Sequence, residues 1–281
     1  MKVSIIGHGF VGKALDDGLN NNVDKMIIDP IYNNKIPDLE SFEPKFIFIC
    51  VPTPMIKNGD QDLEILKNVI EQINNLNFDS QVVLKSTVLP SHIEYIETLI
   101  PNIVYNPEFL TERHASKDFI NAEFIIFGGK NHNINKTSEF YKNHTKCITS
   151  SHFKTDLIAA SLIKYTINCF LASKVMFFNE LYDLYCQSGT DETWENFIKA
   201  IALDKRMGSS HMQVPGPDGR FGFGGACFPK DTQALFKYSE SKNSPLQILK
   251  KVIELNNSIR NSYESATKRE IDQNVDFSSN K

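Results

Sequence analysis

Residues 2–12, Lys-Val-Ser-Ile-Ile-Gly-His-Gly-Phe-Val-Gly, constrain the fold more than any other stretch. The run 2–7 reads as a buried strand, and it enters a glycine spacing Gly7-x-Gly9-x-x-Gly12. A helix pattern follows from Val11 to about Leu19, then a second strand from Lys25 to Ile28 that ends in Asp29. Each part has a physical task. Gly7 makes a tight turn, Gly9 lets backbone approach a pyrophosphate, and Gly12 allows close helix–strand packing. The helix N-terminus offers unpaired N–H groups and positive potential to phosphate oxygens. Asp29 lies 17 positions after Gly12, near the spacing of about 20 at which a carboxylate bonds ribose hydroxyls. Its charge repels a 2′-phosphate, so the expected cofactor is NAD rather than NADP. His8, inside the motif, reads as a tolerated variable residue rather than a catalyst.

Strand-like runs recur at Phe46–Val51, Val82–Lys85, Ile103–Tyr105 and Phe124–Phe127, with helix-like stretches at Asp62–Leu76 and His92–Leu99 between them. This alternation predicts an α/β fold, a Rossmann-like doubly wound parallel sheet over residues 1–150. Ligands bind beyond the C-terminal ends of such strands, which singles out Pro52-Thr53, Thr87, and the run Glu108-Phe109-Leu110-Thr111-Glu112. Glu108 and Glu112 are spaced to share one helix face, as an acid–base pair or as a solvated surface.

From Thr155 to about Gln187 runs the longest helical pattern, apolar on more than one side and free of Gly and Pro. It predicts an interdomain core or a dimer interface. Lys164 and Asn168 interrupt the apolar surface four residues apart, and a buried lysine is costly unless paired or functional. Shorter helices are expected at Glu192 to about Leu203, about Lys230–Ser239 and Pro245–Tyr263. The second region is therefore all-α, a central or dimerisation domain over 151–265, followed by a polar tail over 266–281.

Leading into the second of those lies Phe221-Gly-Phe-Gly-Gly-Ala-Cys227-Phe-Pro-Lys-Asp231. Pro229 suits the first turn of a helix, which places Cys227 near a helix N-terminus, where a thiolate is favoured. The alternative for this segment alone is a surface loop holding a structural cysteine. The other cysteines, Cys50, Cys147, Cys169 and Cys186, read as core filler.

Bulk composition narrows the classes. A net charge of −4 gives no basic excess for nucleic acid. Five scattered cysteines suggest neither a disulfide framework nor a metal site, and a reducing cytoplasm is expected. No apolar run reaches membrane-spanning length, and the N-terminus enters strand-like sequence directly.

Together these motifs, with Val51-Pro-Thr-Pro54, Lys85-Ser-Thr-Val88 and Asn106-Pro-Glu-Phe-Leu110, resemble the UDP-glucose/GDP-mannose dehydrogenase family over about residues 1–265. The resemblance implies oxidation of the primary alcohol of a nucleotide sugar, UDP-glucose first, to a carboxylate with two NAD per sugar. It assigns cofactor contacts to Gly7, Gly9, Phe10, Val11, Gly12, Asp29, Pro52, Thr53 and Thr87. It makes Cys227 the nucleophile, Lys164 and Asp231 the base region, and Lys164 and Asn168 the oxyanion stabilisers. Thr87 and Glu108 handle the hydrolytic water. Substrate contacts fall to Glu108, Phe109, Leu110, Lys164, Asn168, Phe221 and Gly224, and to Arg206 reaching in from a neighbouring subunit of a homodimer. Members continue past the helix ending near Tyr263 into a second Rossmann-like domain, of which 1–281 holds no counterpart. Members also carry Gly at the positions of Ser91 and Arg113, and a shorter form of the loop Pro215–Arg220. An alternative role is a non-catalytic NAD-binding remnant that pairs with a full-length dehydrogenase and modulates it.

Overall fold

In the computed structural model, which describes residues 1–76 and 79–278, the chain divides into two compact units. The first comprises Met1–Thr53 with Asp62–Lys164; the second comprises Pro54–Gln61 with Tyr165–Lys281.

Among the described residues the first unit is built on seven strands: β1 (Lys2–Ile6), β2 (Asp24–Ile28), β3 (Phe46–Ile49), β4 (Gln81–Leu84), β5 (Val104–Tyr105), β6 (Ile125–Gly129) and β7 (His152–Thr155). Their order is β2-β1-β3-β4-β5-β6-β7. All neighbours are parallel except β5 and β6, where Val104 faces Gly129 in an antiparallel pair. The expected parallel sheet is therefore mostly parallel, with β6 and β7 reversed against the rest. Strands β1, β3 and β4 are buried almost throughout, as strands covered on both faces must be. The strand order turns back between β1 and β3, so the segments leaving those two strands flank the crevice where such sheets take ligands.

Among the described residues, six α-helices lie within this unit: α1 (Phe10–Gly18), α2 (Leu39–Phe42), α3 (Glu64–Asn74), α4 (Pro90–Leu99), α5 (Ala115–Ile120) and α6 (Asn131–His144). One core cluster gathers Ile6, Ile49, Leu66, Leu84 and Tyr105; the other gathers Ile5, Leu15, Phe48, Phe127 and Tyr141. Helix α1 buries Gly12, Ala14, Leu15 and Gly18, and a Cβ at Gly18 would meet the Phe119 ring of α5 at 2.2 Å.

Helix α7 (Leu157–Gln187) begins within the residues of the first unit and continues through those of the second. The second unit adds α8 (Trp194–Ala202), α9 (Phe228–Ser241), α10 (Gln247–Arg260) and α11 (Lys268–Asp272). Phe178, Trp194, Met212 and Val214 form one of its cores, and Ala172, Met176, Phe223 and Val252 another. The segment expected as a polar tail contains α11, whose Thr267 hydroxyl accepts from the Glu270 N–H while Glu270 reaches back to the Thr267 N–H, a reciprocal N-terminal cap. Among the described residues no helix is long and apolar enough to cross a membrane. No group of three or more His, Cys, Asp or Glu among them could hold a metal ion.

Candidate active site

The chain leaves β1 through Gly7, whose φ of +89° suits glycine alone. Its N–H donates to Ile28 O at 2.8 Å, and a Cβ there would press on Cys50 and Val51 backbone at 2.8 Å. A Cβ on Gly12 would come within 2.1 Å of Gly7 O, whereas one on Gly9 would meet nothing within 4 Å. The turn is thus tight against the sheet at Gly7 and Gly12 and open at Gly9, at the head of α1, the helix that begins with Phe10 and Val11. That is the cradle a pyrophosphate needs.

Asp29 follows β2 in a fixed pose: Oδ2 accepts the His8 N–H at 2.7 Å and Oδ1 the Ile31 N–H at 3.2 Å. His8 is buried, its ring bridging Tyr32 OH at 3.0 Å and Asp16 Oδ2 at 3.2 Å. A residue read as variable therefore ties the glycine turn to α1 and to the segment after β2. The residues fit a dinucleotide whose ribose bears free hydroxyls. After β3, Pro52 is exposed and Thr53 is buried, its hydroxyl donating to Thr87 O at 2.8 Å.

Lys164 and Glu108 are both buried and paired: Lys164 Nζ donates to Glu108 O at 2.6 Å and Oε1 at 3.3 Å, while Oε2 accepts the Leu110 N–H at 2.7 Å. The lysine also lies 5.3 Å from the Phe109 ring centre. Glu108 lies in a loop, and Glu112 opens a separate exposed 3-10 turn, Glu112–His114. The expectation of one helix face for this pair is therefore wrong: Pro107 and the Glu108 bond to Leu110 N–H divert the chain before a helix can start. A cavity of about 300 Å³ opens beside Glu108, Phe109 and Leu110, with Lys85 and Tyr141 in its wall. Lys85 was not among the expected site residues. It is buried, donates to Asn106 Oδ1 at 2.9 Å and so braces the strand end before Glu108; burial lowers its pKa below the ordinary 10.5.

In the second unit Cys227 occupies the N-cap of α9 and Pro229 its first turn. Asp231, 1 % exposed, holds Oδ2 to the Asn168 amide at 2.6 Å and Oδ1 to Lys230 Nζ at 2.6 Å. Lys230 too escaped assignment, although it stands within the motif; its charge balances a buried carboxylate that would otherwise be costly. Phe221 donates its N–H to Tyr263 OH at 2.8 Å. Gly224 leaves no room for a side chain, since a Cβ would sit 1.5 Å from Arg260 Nη2. Arg206 is exposed and forked onto Asp204, with Nε at 3.0 Å from Oδ1.

None of the five cysteines, all described residues, forms a disulfide. Burial pushes the Cys50 thiol up to about 12 and raises Cys169 and Cys147 as well, which keeps those three protonated and inert near neutral pH.

A glycine cradle at the switch point of a mostly parallel, doubly wound sheet is the architecture of a dinucleotide-binding domain. Two family models match: the NAD binding domain of the UDP-glucose/GDP-mannose dehydrogenase family over residues 38–145, and its central domain over 158–258. The UDP-glucose 6-dehydrogenase of Rickettsia felis is 35% identical over 236 residues, covering 80% of this chain and 49% of the relative. That of Rickettsia prowazekii is 32% identical over 301 residues, covering 91% and 67%. A UDP-glucose dehydrogenase structure from Pyrobaculum islandicum superposes with a TM-score of 0.75 at 26% identity, covering 92% of this chain and 68% of that one. A 3-hydroxyisobutyrate dehydrogenase from Mycobacterium tuberculosis shares the fold, with a TM-score of 0.72 at 13% identity and coverage of 99% and 97%. The chain belongs to the UDP-glucose/GDP-mannose dehydrogenase family, and its cofactor is NAD. It spans about half the length of the first curated relatives it matches.

Proposed function

We propose that the protein oxidises the primary alcohol of a nucleotide sugar, UDP-glucose first, to the carboxylate in two successive steps. The observation that carries this reading is Cys227 at the head of α9 with Asp231 one turn on, held by Asn168 and Lys230, within the family's central domain.

NAD, cradled by Gly7, Gly9, Phe10, Val11 and Gly12 with Asp29 on the ribose and Pro52, Thr53 and Thr87 beside it, supplies two-electron oxidising power when bound. The base region at Lys164 and Asp231 receives the alcohol proton. Cys227 Sγ adds to the aldehyde carbon, forming a C–S bond as the oxygen becomes a thiohemiacetal hydroxyl. Lys164 and Asn168 stabilise negative charge on that oxygen. After the second oxidation the sulfur carries an acyl group as a thioester. Water positioned by Thr87 and Glu108 cleaves it, returning the thiol and releasing the carboxylate. Phe109, Leu110, Phe221 and Gly224 line the sugar.

The assembly is a homodimer in which the partner subunit's copy of the arginine at position 206 completes the substrate site. Phe170, Phe177 and Leu184 support this, standing exposed on α7 at seven-residue intervals. The place of action is the cytoplasm, in keeping with cysteines that form no disulfide.

The test is stoichiometric: purified protein with NAD and UDP-glucose, UDP-N-acetylsugars or GDP-mannose, reading NADH and acid product. Two NADH per sugar consumed, and no acid released by Cys227→Ser, are expected. A protein that binds NAD yet reduces none with any of these sugars sinks the catalytic reading and leaves the role of a modulating companion to a full-length dehydrogenase.

A further inference from the structure

We infer that Glu270, in the short C-terminal helix α11, is a positioning residue for Cys227. It holds the glycine-rich turn ahead of that cysteine in the form that sets the sulfur at the mouth of α9. The inference rests on the proposed role of Cys227 as nucleophile.

Besides the Phe221 N–H on Tyr263 OH, three backbone amides of the turn 221–226 are pinned by side chains. Gly222 N–H donates to Asn179 Oδ1 at 2.8 Å, Phe223 N–H to Asn256 Oδ1 at 2.7 Å, and Gly225 N–H to Glu270 Oε1 at 3.3 Å. The first two acceptors stand on long helices, α7 and α10. The third stands on a helix of five residues and acts closest to the cysteine, two positions before it.

Glu270 is 0% exposed, and its carboxylate is fully engaged. Oε1 also accepts from Arg260 Nη2 at 2.8 Å and Oε2 from Thr267 N–H at 2.6 Å. Arg260 continues to Asp218 Oδ2 at 2.6 Å and Phe221 O at 3.4 Å. The same pair forbids a side chain between the pinned amides, since a Cβ on Gly224 would lie 2.3 Å from Glu270 Oε1.

A buried ion pair is an expensive way to dock a helix, because apolar side chains of similar volume hold as well or better. What they cannot do is accept a main-chain N–H. Gly222 and Gly225 have φ of +72° and +78°, so the turn is made of residues with many alternative conformations. An acceptor at Gly225 selects one of them. A thiol gains the field of a helix N-terminus only within the first turn, so a turn that wanders removes Cys227 from it.

The experiment uses the full chain and measures iodoacetamide alkylation of Cys227 against pH, read by peptide mass spectrometry so that the other cysteines do not interfere. Glu270→Gln keeps the volume, but its single oxygen cannot serve all three N–H donors, from Gly225, Arg260 and Thr267, that the carboxylate accepts. Alkylation of Cys227 near pH 7 is expected to slow about tenfold, the effect of a one-unit rise in apparent thiol pKa, with NAD affinity unchanged. Glu270→Asp keeps the charge but cannot span Gly225 and Thr267. It is expected to slow alkylation less and to speed amide exchange in 222–227, and it serves if Glu270→Gln fails to fold. Unchanged or faster alkylation in either folded variant overturns the inference. A parent chain that oxidises no nucleotide sugar, but whose Cys227 alkylation falls in these variants, defeats the proposed function and upholds the role of Glu270.

Discussion

Lys164 donates both to the main-chain carbonyl of Glu108, at 2.6 Å, and to that residue's carboxylate, at 3.3 Å. One residue supplies both acceptors, so the lysine fixes the loop's backbone and its charge together. Lys164→Met should leave a buried carboxylate uncompensated and destabilise by about 3–5 kcal/mol. Adding Glu108→Gln should recover part of that, giving a coupling of about 0.5–3 kcal/mol in a double-mutant cycle. Urea unfolding measures both, and additive losses would mean that the pair is not coupled.

Gly9 and Gly12 should separate binding from folding. Gly12→Ala places a methyl 2.1 Å from Gly7 O and should cost about 1–3 kcal/mol of stability through forced backbone shifts. Gly9→Ala meets nothing within 4 Å, so its melting temperature should stay close to the parent's while NAD affinity falls. Calorimetric titration with NAD beside thermal melts checks the contrast. A Gly9→Ala chain that binds NAD normally would argue against pyrophosphate approach at that position.

Burial works against the charge of Glu270, but the Thr267 N–H and hydroxyl and the Arg260 guanidinium outweigh it and hold the carboxyl below its ordinary 4.5. A depressed folded pKa contributes stability that is complete above about 4.5 and is lost as pH falls through the lower folded value. Unfolding free energy measured between neutral and strongly acid pH should therefore drop more steeply in the parent than in Glu270→Gln. Parallel curves would contradict the linkage.

The apolar stripe on α7 gives the dimer reading a direct check. Phe177→Glu should shift the sedimenting species towards monomer, with far-ultraviolet dichroism unchanged, since Phe177 is exposed and lies outside the Phe178–Trp194 and Met176–Phe223 clusters. A monomeric parent would remove the dimer proposal outright.

The strands of the first unit were legible because β1, β3 and β4 are buried on both faces and read as apolar runs. The cradle was legible because glycine is needed there for geometry. Strand β7, with Lys154 exposed and His152 half-buried, carries no such signal. Helix α6 conceals its buried face: Ile134, Ser138 and Tyr141 fall at helical spacing, but one of the three is polar. The reversal of β6 has no signature in its own residues. Pairing at the candidate site was least legible. Lys230 and Lys85 stood within recognised motifs, yet which buried charge each lysine meets depends on strands and turns far apart in sequence. Glu270 had a readable sign, Thr267 and Glu270 three apart as a capping pair, inside a stretch whose polarity disguised it.

The strap Pro54–Gln61 belongs to the second unit, although it lies between β3 and α3 of the first. Its Met55 N–H bonds Gln273 O at 3.0 Å, and Gln61 Nε2 bonds Tyr165 OH at 3.1 Å. The chain therefore changes unit three times, after Thr53, after Gln61 and after Lys164. No single cut yields either unit whole: a fragment starting at Tyr165 keeps Tyr165 and Gln273 but lacks their partners Gln61 and Met55. Modular inheritance of these units by swapping consecutive gene segments would have to carry that eight-residue graft along with the helices it serves.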